Sequence, residues 1–241
     1  MYDYGEACPI SKATSVLCER WTLQIVREMM LGASRFSEFQ RALPKISPSL
    51  LNARLRLLCD SGIIIRKRIP EQRGYEYHLT AAGQSLQPVI MELGKWGMRW
   101  IFDGLADDEL DAAVLLGHMA AMIKTEELPA CDTVIQFTFT DFTEGSQRFL
   151  FVHDGKREVC DINPGYEVDV YLRGTLRTIS EIFWGETSVQ DASRSGALKI
   201  TGLPIYTRSI AKWFPVSLFA GENQRGNGGV LPPIVRGRGV C

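Results

Sequence analysis

Apolar positions in the first hundred residues recur at helical spacing and are cut by glycine and proline. Pro9 opens a helix to about Cys18. Leu23, Ile25, Val26, Met29 and Met30 favour one face of a second helix, Thr22–Leu31, which Gly32 ends. Phe36, Phe39 and Leu43 mark a short third helix, stopped by Pro44. Ser47 and Pro48 form a good N-cap and first position for a fourth. In that helix Leu51, Leu55 and Leu58 repeat at i, i+4 and i+7 and point inward, and Gly62 closes it. Its opposite face carries Ser49, Asn52, Ala53 and Arg56, which is small, polar and basic, as a helix seated in a major groove requires.

The period then changes. Ile63–Ile69 and Tyr75–Leu79 read as strands joined by a Pro70–Gly74 turn. A hairpin with Arg66, Lys67, Arg68 and Arg73 near its tip is a wing able to reach phosphates or a minor groove. Alternation along β-structure keeps these four from all pointing the same way. Thr80 caps a long helix whose stripe runs through Leu86, Val89, Ile90, Leu93, Trp96, Trp100 and Ile101, with Pro88 expected to kink it. So apolar a stripe suggests dimerisation, or packing on a second domain.

A boundary is expected near Gly104, followed by a helix from about Asp107. Beyond Pro129, TVIQFTFTDF, RFLFVHD and YEVDVYL alternate apolar with polar and are separated by TEGS, DGK and NPG, the pattern of an antiparallel meander. Helices are expected at about Thr175–Trp184, Val189–Ser195 and Pro204–Phe214, with a strand at ALKITG. From Glu222 the Gly- and Pro-rich end reads as a flexible tail. The domains are therefore 1–104, 105–221 and the tail 222–241.

Net charge is −1 over 241 residues, but the halves differ. Residues 20–79 hold 11 Lys and Arg against 5 Asp and Glu, while the chain beyond 103 is acidic. A basic stretch in an acidic chain points to a polyanionic partner. The six cysteines are scattered, without a CxxC pair or nearby histidine cluster, which argues against both a zinc site and a disulfide framework. His78, His118 and His153 lie in separate elements, and no nucleophile elbow, phosphate loop or dinucleotide fingerprint is present. No catalytic residue, metal or cofactor is expected. With no signal peptide and no membrane-length apolar run, the expected compartment is the cytoplasm.

The segments CPI at 8–10, RWTLQIVREMM at 20–30, RFSEFQRALPKISPSLLNARLRLL at 35–58, SGIIIRK at 61–67 and YEYHLTAAGQSLQPVI at 75–90 resemble the HxlR-type winged helix-turn-helix regulators, related to the MarR group. The resemblance implies that 35–43 and 47–59 are the two helices of the helix-turn-helix, 63–79 the wing, and 8–18 with 80–102 the dimer-forming helices. It implies a homodimer, acting as a repressor, on double-stranded DNA with a pseudo-palindromic operator whose half-sites lie about one helical turn apart. The expected DNA contacts are Arg35, Ser47, Ser49, Asn52, Arg56, Arg66, Lys67, Arg68 and Arg73. In some relatives a cysteine matching Cys8 is a thiol sensor, and a helix N-terminus favours its thiolate. The same CP pair occurs in members without a redox role, and the further 140 or so residues offer another input, so Cys8 is expected to be a packed structural cysteine and not the sensor.

Those further residues, roughly 108–220, resemble the SCP2 sterol-carrier fold through QFTFTD, FLFVHDGKREV, YEVDVYLRG and SGALKITG. The expected fold class is α+β: a winged helix-turn-helix followed by an α/β domain with an antiparallel sheet and packed helices. The resemblance implies a hydrophobic small-molecule effector, for which Phe137, Phe139, Leu150, Val152, Val168, Val170, Ile179 and Phe183 are the candidate lining. A ligand-free dimerisation or interaction module is the competing reading, and ordinary core the competing role of each residue.

Overall fold

The computed structural model describes residues 4–70, 73–163 and 165–222; the expected tail therefore lies, but for Glu222, outside the described residues. The described chain forms two compact units whose segments alternate along the sequence. The first takes residues up to 91 and 111–121; the second takes 92–110 and 122 onward. Against the single boundary expected near 104, residues 92–104 fall in the second unit and residues 111–121 in the first.

Four helices open the first unit: α1 (Pro9–Leu17), α2 (Thr22–Met30), α3 (Phe36–Ala42) and α4 (Pro48–Asp60). Glu38 fastens the start of α3, its carboxylate accepting from the backbone N–H of Ser34 at 2.7 Å and of Arg35 at 2.9 Å. Ser47 caps α4, accepting from Leu50 N at 3.3 Å. Leu51, Leu55 and Leu58 are buried as their spacing requires, in one core with Ile25, Val26, Phe39 and Ile64. Strands β1 (Ile64–Arg68) and β2 (Tyr75–Leu79) pair antiparallel, with Arg66 opposite Tyr77 and Lys67 opposite Glu76.

The long helix expected from Thr80 is two helices, α5 (Ala81–Gln84) and α6 (Gln87–Trp100). Pro88 has no N–H for a helix interior, but it fits the first turn of a new helix, so the break falls just before it. The next helix, α7, runs Ala112–Met122 and starts later than Asp107. Asp111 sets that start, accepting from Ala113 N and Val114 N at 2.9 and 3.0 Å; residues 107–109 form only a single 3₁₀ turn.

The second unit holds a five-stranded sheet of β3 (Thr133–Phe139), β4 (Gln147–His153), β5 (Lys156–Cys160), β6 (Val170–Gly174) and β7 (Lys199–Gly202), in the order β5-β4-β3-β6-β7. It corrects the expected antiparallel meander, since β3 and β6 are parallel. After β5 the chain crosses back past β4 and β3, so β6 joins the far edge of β3 instead of extending the meander. Strand β5 had no alternating signature because it is an exposed edge. Between β6 and β7 lie α8 (Leu176–Trp184) and α9 (Val189–Arg194), and α10 (Pro204–Trp213) follows β7. One sheet face is closed by helices: Tyr206 of α10 meets Thr133 of β3 at 3.0 Å, both buried.

Candidate nucleic-acid interface

The outward face of α4 is available because its inward face is fixed. Ser49, Asn52, Ala53 and Arg56 are exposed, while Leu51, Leu55 and Leu58 anchor the other side. The polar residues are not equally free. Ser47 is engaged as the cap and lies 3.2 Å from the Ser49 hydroxyl. The Asn52 amide donates to the Pro48 carbonyl at 3.1 Å, within its own helix. Arg56 makes no hydrogen bond or ion pair among the described residues and stands exposed. Arg54 behaves differently: it donates to the Arg20 carbonyl and to Glu19, both at 2.8 Å, and so ties α4 to the turn before α2.

The wing lies beside the start of α3. Tyr77 N donates to the Ser34 carbonyl at 2.8 Å, and Arg35 bridges to Glu76. The Arg35 guanidinium reaches the Glu76 carboxylate at 3.3 Å, and His78 lies 3.5 Å from the same group. Sequence reasoning missed this role of Glu76; its position in a basic hairpin, between Tyr75 and Tyr77, was the available signal. Along β1, Arg66 and Arg68 take one face and Lys67 the other, as alternation demands. Arg66 stacks over the Tyr75 ring at 4.3 Å, which orients its charge. All three, with Arg73, are exposed; the turn residues Glu71 and Gln72 lie outside the described residues.

Behind this surface Glu28 is almost wholly buried in α2, 3.2 Å from His118 of α7 and bonded to Arg27 Nε at 2.8 Å. Burial pushes its carboxyl up, but the hydrogen bond from His118 and the charge of Arg27 outweigh that and hold it below the usual carboxylate range. Cys8 precedes α1, half-buried. The backbone amides of Ser11 and Ile10, and then the Ser11 hydroxyl, lower its thiol below the ordinary value.

The geometry places a polar, basic helix face beside a basic two-stranded wing. The model of the HxlR-like helix-turn-helix matches residues 16–104. The HTH-type transcriptional regulator YvaP of Bacillus subtilis is 39% identical over 107 residues, which cover 44% of this chain and 99% of that protein. The chain belongs to the HxlR-like helix-turn-helix family. A second family relative, the HTH-type transcriptional regulator sll1512 of Synechocystis, is 37% identical over 118 residues, covering 48% of this chain and 84% of its own length. Among solved structures, the reduced form of the transcriptional regulator YodB from B. subtilis is 33% identical, with a TM-score of 0.37 over 42% of this chain and 100% of that one. The HxlR-like match thus accounts for the first unit's helix-turn-helix and wing, and ends before α7.

The second unit gathers the eight residues proposed from sequence as a ligand lining. Seven are buried; Val168 is half-buried and precedes β6 instead of lying in it. Its neighbour Asp169 accepts from Val134 N at 2.8 Å, which pins that connection to β3. Among the described residues, no His, Cys, Asp and Glu group could hold a metal, and no helix is long and apolar enough to cross a membrane.

Proposed function

We propose that this HxlR-family chain is a transcription regulator that binds double-stranded DNA as a homodimer and represses from a pseudo-palindromic operator. One observation carries the reading: Arg56 stands exposed and unengaged on the outer face of α4, whose inner face is locked into the core. On this reading Arg56 reads a base edge, with Ser49 and Asn52 beside it. The wing bases Arg66, Lys67, Arg68 and Arg73, together with Arg35 and the α4 N-terminus at Ser47, hold phosphates. The names of the YvaP and sll1512 relatives support it. Dimerisation uses α6, where Val89, Leu93 and Trp96 leave 52, 47 and 50% of their surface exposed along one stripe.

The test is fluorescence anisotropy on DNA upstream of the chain's own gene, backed by random-sequence selection. Salt-sensitive, sequence-preferring binding is expected. Absence of any preferred sequence in both assays overturns the reading.

For the second unit the proposal is an SCP2-like domain that takes an apolar effector and biases the spacing of the two heads. It is supported by a single sheet with helices closing one face. Mass spectrometry of a lipophilic extract of the purified protein decides between this and a ligand-free module. Thiol sensing at Cys8 is a second reading, favoured by the lowered thiol at the start of α1. It requires peroxide or a quinone to release DNA from the wild type but not from Cys8→Ser.

A further inference from the structure

Helix α6 has two distinct faces within one turn. At about 100° per residue, Val89, Leu93 and Trp96 cluster on one side, and Gly94, Gly97 and Met98 on another roughly a third of a turn away, which Ile101 continues just past the helix end. The second side is the floor of an open groove of about 320 Å³ that lies wholly within the second unit. That volume is at the small end of the range for small-molecule sites. Phe102 and Trp184 form one wall, their ring centroids 5.9 Å apart and tilted by 36°. The buried Phe183 braces Trp184 edge-on at 5.2 Å, so the Trp184 ring is oriented from behind. Phe219 closes one end over Gly94, where a side chain would collide with its ring. At Gly97 the groove stays open: an added Cβ would have no heavy atom within 4 Å.

The charge in this lining is of one sign. Asp103 and Glu109 are its ionisable side chains, and no basic side chain lines it. The Glu109 carboxylate turns toward its own backbone, accepting from Ala106 N at 3.3 Å. Asp103 is exposed at the rim. Aromatic faces attract cations through their quadrupole, and a nearby carboxylate adds to that attraction.

We propose that this groove binds a lipophilic organic cation: a planar aromatic ring packed on Trp184 and Phe102, with its positive charge toward Asp103. As an effector of DNA binding the cation's role rests on the regulator reading above; its binding does not.

The test is isothermal titration calorimetry on the full chain without DNA. The probes are N-methylacridinium, a permanent cation, and acridine at a pH where it is neutral, so the ring shape is held while the charge changes. Wild type is expected to prefer the cation about three- to tenfold. Asp103→Asn, at an exposed position, should reduce that preference and keep the acridine affinity. Gly97→Leu fills the open floor and should lose both ligands while the circular dichroism spectrum is kept and the melting midpoint does not fall. No binding of the cation, equal binding of the two probes, or undiminished binding to Gly97→Leu overturns the proposal. Cation binding of the expected kind in a chain that shows no DNA preference would sustain the site and sink the regulator reading.

Discussion

Two arginines only two residues apart on α4, and so on nearly opposite sides of the helix, have opposite fates. Arg54 joins Glu19 and the Arg20 carbonyl, while Arg56 projects from the helix unengaged. Arg56→Ala should therefore weaken operator binding by a factor corresponding to about 1–3 kcal/mol and relax preference at one base position, with the melting midpoint unchanged. Arg54→Ala should do the reverse, lowering stability with its main effect in denaturant unfolding; anisotropy and urea melts of the two variants separate the cases. Glu28 gives a pH dependence. Its folded pKa is depressed, so its stabilisation is complete above the unfolded value of about 4.5 and is lost as pH falls through the folded one. Urea unfolding at stepped acid pH should show the wild type losing stability in that window and Glu28→Gln responding less. Parallel pH profiles would remove Glu28 from the account.

Among the elements, α1 to α4 and the two wing strands were legible because each carries a single period bounded by its own stop. Leu51, Leu55 and Leu58 predicted both the buried side of α4 and, by elimination, its outer face. The parallel pairing of β3 with β6 was not legible, because alternation reports burial on one face and says nothing of strand neighbours. Nor was the groove on α6, whose floor depends on two glycines that carry no apolar signal. The partnership of Asn52 was likewise hidden, since a polar residue in a sequence does not disclose what it bonds. Glycines with opposite surroundings make the element-scale prediction. Gly83 in α5 faces the Ile63 carbonyl so closely that a Cβ would collide with backbone, whereas Gly97 in α6 faces open space. Gly83→Ala should destabilise by about 1–3 kcal/mol through forced displacement. Gly97→Ala should stabilise by about 0.5–1 kcal/mol through helix propensity. Denaturant unfolding of the pair checks both signs.

At the scale of the whole molecule, the family match and the compact units end in different places. The helix-turn-helix match stops at residue 104, yet 111–121 belongs to the same unit as α1 to α5. The physical bond is explicit: His118 of α7 donates to Glu28, a carboxylate buried in α2. Leu115, Leu116 and Met119 are buried with it on α7. A chain ending at 104 would keep every element of the family match and lose this partner. Arg27 would remain beside Glu28, so the group would be left partly satisfied and not bare. The expected cost of the missing hydrogen bond is then about 1–3 kcal/mol, to which the uncovered apolar surface adds. A chain ending at 122 should therefore melt higher than one ending at 104, although the added segment contributes no residue to the outer face of α4 or to the wing. His118→Ala in the full chain isolates the hydrogen bond from the apolar part, because α7 then stays in place. Equal midpoints for the two shortened chains would mean that α7 does not support the first unit. A difference between them with no effect of His118→Ala would assign the support to Leu115, Leu116 and Met119 instead of the buried pair.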